Sequence, residues 1–267
     1  MITPLDYLSA ARFHGADTAA FLQSQLSADI AALEPGEASF ACYCTPKGQV
    51  IGLLLVCRRD EDYLVAGASE LLPRILDRLK IFVMRSRVEF SAQPGIAVCG
   101  IGAKEDSSAP AVFQPGGLPL RYFFPENTGA ANGRSERFKA LEIRNGVTWL
   151  GPETAEKFIP QMLGFDQIGA VSYTEGCYPG QEIVARTRYL GKVKRKPVIV
   201  QVQEELLINP TERVELRRAD AWSEGTVIDS VPFDEAGTLC FIVAPAEPAV
   251  GPEELRYQDR SYRCATT

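Results

Sequence analysis

Cys177 lies in the run Glu175-Gly176-Cys177-Tyr178-Pro179-Gly180-Gln181-Glu182. Six basic residues follow it: Arg186, Arg188, Lys192, Lys194, Arg195 and Lys196. A thiol becomes a nucleophile, a redox centre or a soft-metal ligand when positive potential favours its thiolate, and nearby cations or a helix N-terminus supply that potential. Pro179-Gly180 suits the central positions of a type II turn, where proline sets φ and glycine accepts φ > 0. A short helix should begin near Gln181. The ordinary alternative is a buried, inert cysteine, the commoner state of this residue. Glu182, at the start of that helix, either complements the helix dipole or accepts hydrogen bonds from a ligand. Arg186 and Arg188 could pair with a carboxylate or phosphate. The lysines could equally form a solvated linker. Tyr178 and Tyr189 alternate with the cations, as on surfaces that bind single-stranded nucleic acid.

Composition narrows the chemistry. The chain has 267 residues with 28 Lys and Arg against 34 Asp and Glu, so the cationic run is a local feature of an acidic protein. A net charge of −6 argues against broad coating of nucleic acid but leaves room for one contact. The cysteines number seven, at 42, 44, 57, 99, 177, 240 and 264, with no Cys-x-x-Cys pair. That pattern does not suit a secreted disulfide framework or a stably bound iron–sulfur cluster. His14 is the only histidine, which removes imidazole-based zinc sites and leaves one residue for any Cys-His or Ser-His arrangement. No apolar run reaches the roughly 20 residues of a membrane span, and the N-terminus lacks the pattern of a signal peptide. A cytoplasmic protein is expected.

The elements around the motif can be read from periodicity. Asp17 is a possible N-cap for a helix through about Ile30, with Leu22, Leu26 and Ile30 on one face. Phe40–Tyr43 and Gln49–Cys57 read as strands joined at Thr45-Pro46-Lys47-Gly48, the second apolar throughout and so buried on both faces. Asp62–Ala66 is a further strand. Ser69 would cap a helix through about Met84, with a core stripe of Leu72, Ile75, Leu76, Leu79 and Phe82. Arg87–Phe90, Ile96–Ile101 and Leu118–Phe124 read as strands, with loops at Lys104–Pro110 and Gln114–Gly117. Ser135 begins a helix that should stop at Asn145-Gly146. Beyond Lys196, alternation at Val198, Val200 and Val202 opens a series of short strands, at Arg213–Arg218, Thr226–Val231, Thr238–Val243 and Leu255–Cys264. These suit a small β-barrel. The expected class is α+β: a two-lobed mixed α/β core (about 1–93 with 165–195, and 94–164) followed by a barrel over 196–267.

The Cys177 motif resembles the signature of the YgfZ family, folate-binding relatives of the glycine-cleavage T-protein (aminomethyltransferase). The likeness extends to Phe21–Ile30, to Cys44–Gln49, to Phe158–Gln161 and to Val171–Tyr173. It implies a core around a tetrahydrofolate cleft and a role in maintaining iron–sulfur enzymes, including those that modify tRNA. The functional cysteine carries over to Cys177, and the Gln-Glu-x-x-x-Arg pattern to Gln181, Glu182 and Arg186. The folate-binding set expected from the resemblance is Glu182, Arg186, Gln181, Tyr178 and Arg144, with a carboxylate on the pterin and arginine on the glutamate tail. Two positions depart from the pattern. Glu175 stands where the signature has lysine. Gly52 and Leu53 stand where T-proteins carry the carboxylate that assists amine attack.

Three functions follow. The first is a tetrahydrofolate-binding accessory protein for iron–sulfur assembly or repair, with Cys177 as its thiol. The second is a folate-dependent aminomethyl or one-carbon transferase using another acid, such as Asp29 or Glu142. The third is a tRNA-binding module using Arg186–Lys196.

Overall fold

A computed structural model describes residues 2–102, 112–126, 133–233, 237–247 and 250–265. The loop expected at Lys104–Pro110 lies outside them. The chain opens with two strands that the periodicity did not reveal, β1 (Ile2–Pro4) and β2 (Leu8–His14). Helix α1 (Thr18–Gln25) follows, then β3 (Ala38–Cys44), β4 (Val50–Arg58) and β5 (Asp62–Ala68). Next come α2 (Leu72–Val83), β6 (Glu89–Ala92), β7 (Cys99–Gly102), β8 (Leu120–Phe123) and α3 (Ser135–Arg144).

Five strands form one sheet in the order β3-β4-β5-β2-β6, and β1, β7 and β8 form a second. The N-terminus thus stitches two lobes together: β1 pairs with β7, and β2 inserts between β5 and β6. Strand β4 is buried along nearly all its length, as its unbroken apolar run requires. Gly52 lets α2 close on it, since a Cβ there would lie 2.8 Å from Cδ1 of Ile75. Between the lobes Phe40 meets Tyr122 and Trp149 edge-on, with ring centroids 6.1 and 5.9 Å apart.

Several local expectations are corrected. Helix α1 stops at Gln25 because Leu26 turns extended. The Gln23 side chain then takes the backbone N–H groups of Ile30 (2.6 Å) and Ala31 (2.9 Å), holding a loop in place of another turn. Asp17 sits at the N-cap position but does not cap; its carboxylate accepts the Arg87 backbone N–H at 2.7 Å and pairs with the Arg87 guanidinium. Ser69 is not the cap of α2, which starts three residues later with Pro73 in its first turn. Phe82 is exposed, so Leu79 is the last buried residue of that stripe.

After α3 the chain runs with little regular structure to α4 (Gln181–Tyr189) and enters the barrel. Its strands are β9 (Arg195–Val202), β10 (Arg213–Arg218), β11 (Ala221–Phe233), β12 (Gly237–Pro245), β13 (Glu254–Tyr257) and β14 (Arg260–Ala265). They close in the order β10-β11-β12-β9-β14-β13, with β10 also pairing β13. The last expected strand is in fact a hairpin, turned by Gln258 and Asp259 at φ 47° and 61°. The expected α+β class, with a mixed core and a C-terminal barrel, stands. Among the described residues no helix is long and apolar enough to cross a membrane.

Candidate functional site

Cys177 is the exposed cysteine of the seven; 42, 44, 57, 99 and 240 are buried, and 264 is intermediate. Its loop is built by glycines. Pro179-Gly180 forms the expected type II turn: Gly180 has φ 86° and ψ 1°, and the Gln181 N–H donates to the Tyr178 carbonyl at 3.1 Å. A Cβ on Gly180 would lie 2.4 Å from the Thr45 carbonyl oxygen and 2.6 Å from Gly48 Cα. The 45–48 turn and the cysteine loop therefore interlock backbone to backbone. Gly176, at φ 93°, sits against the Gln23 side chain. The Gln181 amide closes the loop by donating to the Gly176 carbonyl at 2.6 Å.

Every segment that carried the sequence resemblance meets here. Ser27 donates its hydroxyl to the Ala170 carbonyl at 2.5 Å and accepts the Cys42 N–H, while its carbonyl accepts the Ser172 N–H. Gln161 donates to the Val184 carbonyl at 2.7 Å, fixing α4, and to the Tyr173 hydroxyl at 3.2 Å. The Phe158 carbonyl accepts the Val50 N–H at the start of β4. Tyr178 is buried beneath the loop. Burial, followed by the nearby Cys44 and Cys42 thiols, pushes its hydroxyl well above the usual range.

The charged members of the expected set divide. Glu182 and Arg186 lie exposed on α4, whose only buried residue is Val184. Arg188 rests over the Tyr173 ring, 5.2 Å from its centroid. Among the described residues neither arginine hydrogen-bonds Cys177. Arg144 belongs to another place. It stacks on Phe233 at 4.1 Å and donates to Gln201 at 3.0 Å, so its contacts are with the barrel. Gly52 and Leu53 lie in the buried middle of β4, where no acid stands.

A second polar centre lies in the interior. Glu142 has no exposed surface. Its Oε2 accepts from Tyr7 at 2.7 Å, and its Oε1 accepts from Tyr122 at 2.8 Å and Trp149 at 3.0 Å. Burial pushes its carboxyl up to about 7, against the three hydrogen bonds and Lys139, which pull it down. Lys139 reaches across to Asp229 of β11 at 2.9 Å. Asp29 serves its own loop, accepting from Gln23 at 3.1 Å and from the Ala32 N–H at 3.3 Å.

With this geometry in view, the comparisons with known proteins fall into place. The fold is shared with the glycine cleavage system aminomethyltransferase T from Bartonella henselae. The TM-score is 0.72 at 12% identity, covering 98% of this chain and 83% of that one. No protein-family model matches the chain. It is 29% identical over 234 residues to an uncharacterized protein of Haemophilus influenzae, covering 82% of this chain and 80% of the relative. It is also 26% identical to the tRNA-modifying protein YgfZ of Klebsiella pneumoniae, with 90% and 83% covered. The corresponding protein of Edwardsiella ictaluri is 27% identical, with 92% and 85% covered. The chain is thus similar along most of its length to proteins named YgfZ, and its fold is that of the aminomethyltransferase.

Proposed function

We propose that this chain is a tetrahydrofolate-binding accessory protein of tRNA modification. It would act by supporting the assembly or repair of iron–sulfur enzymes, with Cys177 as its working thiol. One observation carries the proposal: the five segments of the family resemblance, far apart in sequence, converge on the single exposed cysteine. A loop tied down by two positive-φ glycines presents a thiol in a fixed place, and a fixed, exposed thiol is what transient transfer or ligation chemistry requires.

The residues near this loop fit a folate in kind. A pterin ring needs a carboxylate for its N–H groups, and Glu182 accepts no hydrogen bond from any described residue. A glutamate tail needs a cation, and Arg186 has no ion pair among the described residues. Tetrahydrofolate would supply a reduced pterin able to carry a one-carbon unit. Glu182 would orient the ring, Arg186 would hold the tail, and Gln181 would keep the loop closed. The lack of an acid at Gly52 and Leu53 favours an accessory role over aminomethyl transfer, since no carboxylate there can take a proton from an attacking amine.

Titration calorimetry with tetrahydrofolate tests the binding half. Glu182→Ala should weaken affinity about tenfold, the typical worth of a charge-assisted hydrogen bond; equal affinity would remove Glu182 as the pterin anchor. In cells lacking the native gene, Cys177→Ala should fail to restore iron–sulfur enzyme activity, and full rescue would remove the thiol from the mechanism.

A further inference from the structure

Beyond Glu182 and Arg186, which the folate reading uses, the exposed end of α4 and the strand after it form a further surface. Among the described residues exposed large apolar side chains gather in two places, at Ile81, Phe82 and Met84, and here at Ile183, Tyr189 (66% exposed) and Leu190 (83% exposed). From Ile183 to Gln203 the sequence contains no acid and six cations. Elsewhere cations are commonly neutralised, as with Arg12 and Arg59 on Asp62, Arg74 and Arg78 on Glu156, and Arg87 on Asp17. In this stretch only Lys192 has an ion pair among the described residues, an exposed one with Glu247. Arg195 turns inward to the Val243 carbonyl. Arg186, Arg188, Lys194 and Lys196 are left without carboxylate partners, although the protein as a whole is acidic.

The aromatics are ordered rather than scattered. Tyr173 and Tyr189 meet edge to face, with centroids 6.2 Å apart, and the Arg188 guanidinium lies over Tyr173. A ring pair carrying a stacked guanidinium, rimmed by unneutralised cations, offers flat faces for bases and charge for phosphates. An apolar protein partner would be served by Ile183 and Leu190 but would gain nothing from four unpaired cations unless it were strongly acidic. An A-form duplex offers no unstacked base to the tyrosines. We infer that this face binds an unpaired stretch of RNA, with bases stacked at Tyr189 and phosphates held by Lys194 and Lys196. The inference rests on the reading of the chain as an accessory of tRNA modification. It adds a direct RNA contact beside the Cys177 loop.

Fluorescence anisotropy with a labelled single-stranded RNA of about twelve nucleotides, within the site sizes of such surfaces, tests it. The wild type should bind the single strand, and a duplex of the same sequence much more weakly. Tyr189→Ala should weaken binding about tenfold with the salt slope unchanged, as loss of one stacked base would. Lys194→Ala combined with Lys196→Ala should make the slope of log affinity against log salt shallower by about 1.4, or two phosphates of a single strand. Arg213→Ala, which removes an exposed barrel cation, should change neither. Failure to bind single-stranded RNA at low salt, equal binding of duplex, or wild-type affinity in Tyr189→Ala would overturn the inference. So would capture of an acidic apolar peptide in place of RNA. Tetrahydrofolate calorimetry on the same samples separates the two readings: RNA binding that survives loss of folate binding strikes the folate site alone. Normal folate binding with no RNA binding strikes this surface alone.

Discussion

The Cys177 loop and the Glu142 centre are both polar, yet they are built on opposite principles. Around Glu142 side chains do the work. A carboxylate without exposed surface accepts from Tyr7, Tyr122 and Trp149, and it joins the N-terminal segment to the second lobe. Around Cys177 the backbone does the work. Gly180 and Gly48 touch across two turns, and Cys177 is left exposed. Burial raises the Glu142 carboxyl, and three hydrogen bonds engage both of its oxygens. Perturbed ionisation at Glu142 marks a clamp, whereas the loop proposed as functional is marked by an exposed cysteine held between glycine turns. Displaced pKa values gather at functional sites but also arise in structural networks.

The sharpest way to break this contrast is Glu142→Leu. It strands the Tyr122 hydroxyl and the Trp149 N–H in the interior, while Tyr7, being partly exposed, can turn to water. Two buried donors without acceptors should lower stability by about 4 kcal/mol, read by chemical denaturation. A loss below about 1 kcal/mol would mean that Glu142 is not a clamp.

Glu142→Gln isolates the charge. The folded carboxyl titrates near 7 and an unperturbed one near 4.5. Between those values the folded chain keeps a proton that the unfolded chain releases. The stabilisation is therefore complete below about 4.5 and is lost as pH rises through about 7, by up to about 3 kcal/mol. Glutamine, which does not titrate, should flatten denaturation midpoints across that window. Asp229, also raised by burial, leaves a slope of the same sign. An unchanged pH profile would place the titration elsewhere.

The Cys177 side of the comparison was the more legible in sequence. Turn chemistry is local, so Pro179-Gly180 announced both its type II geometry and the start of α4, and the apolar run of β4 announced a strand buried on both faces. Strands β1 and β2 were not legible. The first is three residues ending in Pro4, and the second, Leu-Ser-Ala-Ala-Arg-Phe-His, carries alanines where a strand signal needs larger side chains; pairing with β7 and β5 makes them strands. The clamp was hidden for a related reason. Nothing near Glu142 in sequence foretells that Tyr7, 135 positions away, will reach it. Arg144 was grouped with the cysteine loop because arginine suits an anionic tail, while its stacking on Phe233 depends on where the barrel docks.

Gly180→Ala tests whether backbone interlocking places the thiol. Alanine at φ 86° is strained, and its methyl would meet the Thr45 carbonyl and Gly48 backbone, neither of which is a flexible side-chain end. The loop should lift from the 45–48 turn at a cost of about 2 kcal/mol. Hydrogen exchange should quicken at Gly48 and Gln181, whose N–H groups close the two turns. Among the described residues no hydrogen bond joins the Glu142 centre to this loop, so Trp149 emission in a Trp222→Phe background should stay as in the parent. Exchange that quickens at both centres together would show one cooperative unit and dissolve the distinction. Exchange confined to the two turns would show that the Gly180 contact with the 45–48 turn holds the thiol in place independently of the Glu142 centre.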